Sequence, residues 1–179
     1  MNKYFKIALI LSLICGLCGV LIAAVNYITE DIIEENNQIK INNSLNELYE
    51  GALFEEIDLT DNINESIIKI YKVKKSESDD ETIAYIYQVS GKNNYGSIEL
   101  MIGININKTM EDLIVLSNTQ SYKQEVNKHI EDNYQNGLTE EDINNIDVYC
   151  GATKGATLAK NLVKISLDHF EILLGDYNG

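Results

Sequence analysis

The chain has 179 residues and a mass of 20.2 kDa, room for one domain and a short appendage, and it contains neither proline nor tryptophan. Its net charge of −14 is unevenly placed: no acid precedes Glu30, so once Lys3 and Lys6 are taken from the 14 lysines, 12 remain against all 28 acids, a balance of −16. So negative a surface repels phosphate backbones and argues against a nucleic-acid partner, and three cysteines are too few to staple a domain of this size.

Ile7 to Val25 is an uncharged run of 19 residues, about 28 Å long as a helix and close to the hydrocarbon thickness of a bilayer. Lys3 and Lys6 lie before it; Glu30, Asp31, Glu34 and Glu35 lie after it. The positive-inside bias predicts a cytoplasmic N-terminus and an extracellular remainder. A cleaved signal peptide is the competing reading, but the run exceeds a typical h-region and Ala23-Ala24 fits its cleavage site poorly. An uncleaved single-pass anchor over residues 1–26 is expected. Cys15-Gly-Leu-Cys18 within it suits close helix packing in lipid better than a metal site, which would need more ligands.

Residues 27–60 read as a helical stalk and domain entry. Ile28, Ile32, Ile39, Leu45 and Leu48 keep helical spacing from Tyr27 to Tyr49, with Asn-rich interruptions at Asn36-Asn37 and Asn42-Asn43 and a stop at Gly51. A domain over 61–179 follows. Strands are predicted over Ile67–Val73, Thr82–Val89, Ser97–Ile106 and Glu111–Leu116, with a charged loop at Lys74–Glu81 and a turn at Ser90–Asn94. Short links favour antiparallel pairing. Helical spacing returns from Ser121, Thr139 with Asp142 forms an imperfect capping box, and Leu158–Leu174 carries the clearest apolar stripe. The fold class expected is α+β: one transmembrane helix, then an antiparallel sheet flanked by helices.

Between the last two helices lies Asp147-Val-Tyr-Cys-Gly-Ala-Thr153-Lys-Gly-Ala-Thr157. Taken alone, this is a Gly/Ala-rich turn before a helix. A helix start offers unpaired N–H groups and a positive dipole end, which together favour a phosphate. Gly151 and Ala152 leave space beside Thr153 for a bulky phosphoryl donor. A threonine hydroxyl is a poor nucleophile, so any esterification needs outside activation. His129 and His169 have no partner pattern for acid–base or metal chemistry, and Tyr85 and Tyr87 read as sheet packing.

Asp147-Val-Tyr-Cys150-Gly151-Ala152-Thr153 resembles the flavinylation motif of FMN-binding domains, as found in the G subunit of the Rnf ion-translocating electron transport complex and the C subunit of sodium-pumping NADH:quinone reductase. Asn43–Leu48 is similar to that family's early helix. Tyr95-Gly96-Ser-Ile98 and Met101–Asn107 resemble its Gly-Tyr-Gly loop and following strand, and Leu116–Thr119 falls where the family has Ser-Glu-Thr-Pro. One anchor helix and this length suit the Rnf subunit better. The chain departs from the pattern at Cys150, where Ser or Thr is usual, at Asn118 and Gln120, and at Lys154-Gly155-Ala156 after the first threonine.

The resemblance implies FMN covalently attached through its phosphate to Thr153, with a separate flavin transferase performing the attachment. Asp147 stands at the motif distance from Thr153, whereas Gly151 occupies that distance from Thr157; yet Gly155–Val163 matches the family's helical continuation better. Thr157 is expected to donate to a phosphate oxygen or to start the helix. Tyr95 would stack on or hydrogen-bond the flavin, Gly96 would permit close backbone approach, and Lys154 would offset phosphate charge. The implied function is electron relay in a ferredoxin:NAD oxidoreductase complex with multispanning and iron–sulfur partners. A stand-alone extracellular FMN carrier and a cofactor-free anchored binding or scaffold domain are the alternatives.

Overall fold

The computed structural model describes residues 3–59, 63–76, 79–148 and 151–177. It divides into two units, Met1–Ile41 and Asn42–Gly179. A single helix, α1 (Lys3–Leu48), holds every described residue of the first unit and opens the second. At 46 residues α1 is about 69 Å long. Its N-terminal part is apolar enough to cross a membrane, and side chains such as Leu13 and Ile22 are exposed along it. So continuous an apolar surface has its natural solvent in lipid. The expected Asn-rich interruptions do not break the helix. Asn36 Nδ2 donates to the Ile32 carbonyl at 2.8 Å and Asn46 Nδ2 to the Asn42 carbonyl at 2.9 Å, so these amides bond back onto their own turn.

The second unit is α+β, as expected. Five strands, β1 (Leu53–Ile57), β2 (Ile67–Ser76), β3 (Asp79–Asn93), β4 (Gly96–Asn105) and β5 (Met110–Asn118), form one antiparallel sheet in sequence order. β1 is an addition to the four expected strands. It is a short edge strand whose Glu55 and Glu56 pair with Lys74 at 2.8 Å and Lys69 at 2.9 Å. Such exposed pairs add little stability, but charge on an edge discourages pairing with another chain. β2 and β3 between them take in most of the expected Lys74–Glu81 loop, with Ser76 paired to Asp79. β3 also takes in most of the Ser90–Asn94 turn, because Gly91 to Asn93 pair with Ile98 to Gly96 across a two-residue hairpin. At the far edge, Met110 and Leu138 form an isolated bridge.

Three helices follow: α2 (Lys123–Asn133), α3 (Glu140–Asn145) and α4 (Thr153–Tyr177). The capping box at α3 is complete. Thr139 N–H donates to Asp142 Oδ2 at 2.9 Å and the Asp142 N–H to Thr139 Oγ1 at 3.3 Å. The Thr139 hydroxyl, donating to the same Oδ2 at 2.6 Å, and then the Thr139 N–H hold the Asp142 carboxyl below its ordinary range. α4 lies across β3 and β4 and runs against β3. Phe170 meets Tyr85 with ring centroids 5.5 Å apart, His169 Nδ1 lies 3.1 Å from the Tyr87 hydroxyl, and Leu158 and Leu162 sit over Gly91. Phe170 is fully buried, a burial that contributes about 1.5–3 kcal/mol. Tyr85 and Tyr87 are core residues, as expected. The antiparallel run brings the N-terminus of α4 to the β3–β4 hairpin.

Both histidines are perturbed by burial. His129 on α2 and His169 on α4 have pKa values lowered chiefly by desolvation; Asp132 and Asp147 oppose the shift at His129 and Lys160 adds to it. Between a depressed folded value and about 6.5 the unfolded chain binds more protons, so stability rises with pH there and is lost as pH falls. Thermal melts of the full chain in detergent should therefore shift downward from about pH 7.5 to 5.5, above the range where carboxylates titrate. Replacing both histidines with glutamine should flatten the profile; an unchanged slope would remove the histidines as its source.

Candidate functional site

The hairpin end of the sheet carries an open cavity of about 220 Å³, lined by Tyr95, Gln120, Tyr122, Val126 and Gly151 to Gly155. Four segments meet there: the β3–β4 turn, the β5–α2 loop, the first turn of α2 and the start of α4. A larger cleft of about 730 Å³ beside β5 and α2 carries Glu111, Asp112 and Glu131, charges that repel a phosphate.

Asn93, the last residue of β3, ties three of these segments together. Its Oδ1 accepts from the Tyr95 N–H at 2.8 Å and from Gln120 Nε2 at 3.2 Å, while its Nδ2 donates to the Lys154 carbonyl at 3.1 Å. The first bond is an Asx turn, a local pattern that Asn93-Asn94-Tyr95-Gly96 could have suggested; the other two join residues far apart in sequence. Asn93→Ala removes three hydrogen bonds, each with a net value of about 0.5–1.5 kcal/mol. A loss of about 1–3 kcal/mol in denaturant unfolding is expected; unaltered stability would count against Asn93 as the tie.

The start of α4 is seated by close contact. A Cβ on Gly155 would lie 2.5 Å from Val126 Cγ2 and 3.3 Å from Gln120 Oε1, so glycine is what lets α4 approach α2 here. The first hydrogen bonds of α4 run from the Gly155 and Ala156 N–H groups to the Ala152 carbonyl, at 3.0 and 3.1 Å. The N–H groups of Thr153 and Lys154 precede them and carry the positive end of the helix dipole.

The structure gathers Tyr95, Gly151, Ala152 and Thr153 around one cavity. Thr153 and Lys154 are exposed, and Ala152 is buried behind them. Gly151 has a φ of 76°, and among the described residues, its chain neighbours aside, no atom lies within 4 Å of where a side chain would begin. Thr157 lies half-buried one turn inside α4 and is not part of the lining. Asp147 is exposed, its charge is felt at His129, and it is not among the lining residues. Cys150 lies outside the described residues. Gly96 has a φ of 136°, and its Cβ position is 2.4 Å from the Thr119 carbonyl oxygen, so the absence of a side chain there admits the β5–α2 loop. Tyr122 and Val126 line the candidate cavity and Asn93 ties its segments together without being marked by the motif; of the three, Asn93 alone carries a local signal, its Asx turn.

The cavity combines an exposed hydroxyl, the amides of a helix start and a lysine at one side with aromatic and apolar walls. The family model described as RnfG N-terminal region matches residues 1–48. No curated protein matches the chain significantly. The match and the membrane-length apolar helix support an Rnf-type membrane subunit.

Proposed function

We propose that this chain is the flavin-bearing subunit of an Rnf-type ion-translocating complex, carrying FMN esterified to Thr153 and relaying electrons between neighbouring redox centres. The observation that carries the reading is that Thr153, singled out by motif spacing, is an exposed first residue of α4 lining the hairpin-end cavity. The FMN ring system supplies the redox chemistry when bound. The residues of this chain supply place and charge. The amides of Thr153 and Lys154 and the Lys154 ammonium offset phosphate charge, and Val126 and Ala152 give an apolar surface. Gly151 leaves an approach for the flavin transferase. Asp147 keeps the motif distance from Thr153 and belongs to the same attachment segment in this reading. The N-terminus is cytoplasmic and the α+β unit extracellular, following the lysine bias around the anchor. Multispanning and iron–sulfur subunits are the partners.

The test is intact-mass analysis and affinity copurification of the full chain, produced with its flavin transferase and neighbouring membrane subunits. A gain of one FMN less one water, and a stable complex, are expected. The bare polypeptide would overturn the flavin reading, and a flavinylated chain that purifies alone would leave a free-standing carrier.

A further inference from the structure

We propose that Tyr122, acting with Tyr95, forms aromatic walls that hold the ring system of the bound flavin, so that the chain grips it at both ends. This rests on the flavin reading above and adds a second point of attachment, non-covalent, at the opposite chemical pole of the molecule.

Tyr122 and Tyr95 are 59% and 50% exposed, yet both line the same cavity as Thr153. They come from different segments that are tied together: the Ser121 N–H donates to the Tyr95 carbonyl at 3.0 Å, with the Ser121 hydroxyl 3.4 Å from the same oxygen. The Asx turn of Asn93 fixes the other side of Tyr95. The backbones beneath the two rings are therefore held while the rings face solvent.

Local structure does not account for Tyr122. It occupies the N-cap of α2, a place that favours Ser, Thr, Asp or Asn, and its side chain makes no capping bond. Neither ring packs on another aromatic ring among the described residues. Large aromatic surfaces left in water at the mouth of one cavity mark a binding surface. Val126 and Ala152 extend that apolar surface, while Thr153 and Lys154 make the polar, cationic end. The ligand that matches is planar and aromatic at one end and phosphorylated at the other. A tyrosine rather than a phenylalanine keeps its polar edge wet while its face stays available.

The experiment uses the full chain in detergent, flavinylated in cells with the transferase and checked for one flavin by intact mass. Flavin fluorescence lifetime is then compared for the parent, Tyr122→Phe and Tyr95→Phe. A phenol in contact with an excited flavin gives it an electron and takes it back without emission, whereas a phenyl ring does not. The parent should be strongly quenched relative to free FMN, and Tyr122→Phe should lengthen the lifetime severalfold, with Tyr95→Phe adding to it. Unchanged lifetimes in both variants, at full flavin occupancy, would overturn the aromatic grip while leaving the ester intact. Loss of partner subunits from Tyr122→Ala with no lifetime change would likewise overturn it, in favour of a protein-docking role for the ring. A parent with no flavin mass would instead sink the reading on which the proposal rests.

Discussion

Thr153→Ala is expected to abolish covalent flavin, read as complete loss of the FMN mass increment and of in-gel fluorescence, while Thr157→Ala retains both. The two threonines each follow Gly-Ala, so the contrast isolates position from local sequence. Thr153 is exposed, opens α4 and lines the cavity; Thr157 is half-buried one turn further along and does not. Removing an exposed hydroxyl at a helix start costs about 0.5 kcal/mol or less, so the loss will not come from unfolding. Thr153→Ser keeps the nucleophilic oxygen and should retain some modification. If Thr157→Ala were the variant that loses flavin, the assignment would pass to Thr157 and the cavity at the hairpin end would need another ligand.

Gly96→Ala should be the most damaging small substitution in the α+β unit. The residue has a φ of 136°, and the added carbon would stand 2.4 Å from the Thr119 carbonyl oxygen, 2.6 Å from its carbon and 2.8 Å from the Gln120 nitrogen. All three are backbone atoms, so no side chain can swing aside. The β5–α2 loop is held there by the Thr119 N–H bond to the Ser97 carbonyl at 2.9 Å and the Ser97 N–H bond to Thr119 Oγ1 at 2.8 Å. Backbone strain and overpacking together should cost about 2–5 kcal/mol, a large part of the roughly 5–15 kcal/mol that stabilises a domain. Gly137→Ala is the control: its φ is 89° but open space surrounds it, so strain alone applies, about 1 kcal/mol. Denaturant midpoints of the two variants should separate clearly. Equal midpoints would show that the loop yields.

Gly96 also shows how a small residue in a motif can answer a packing need. Tyr95 lines the candidate cavity, and the neighbouring glycine makes room for the backbone of the β5–α2 loop. A motif carries the need for a small residue without saying what fills the space. Likewise Gly155 interrupts the expected continuation after Thr153, and its function is the approach of α2, a segment about 30 residues earlier.

The errors at element boundaries have a common origin. β1 was missed because Leu53–Ile57 is five residues long with two adjacent glutamates, too short and too polar for its period-two pattern to register. β3 runs past both expected ends because Asp79 gains a ladder partner from β2, and Lys92 and Asn93, of poor strand propensity, gain theirs from β4. α4 begins five residues before its apolar stripe, since Thr153–Thr157 has little hydrophobic surface and is helical through continuity with the stripe and its seat on α2.

Sequence alone determined the membrane-length helix, the α+β class, four of the five strands and the short segment containing Thr153, because each rests on local periodicity, propensity or spacing. Tertiary structure decided which neighbours that threonine has. The antiparallel run of α4 along β3 places it beside Asn93, Gln120 and Tyr122, residues that no local signal connects. Those contacts join positions up to 61 residues apart, and which distant pair meets is set by the packing of whole elements.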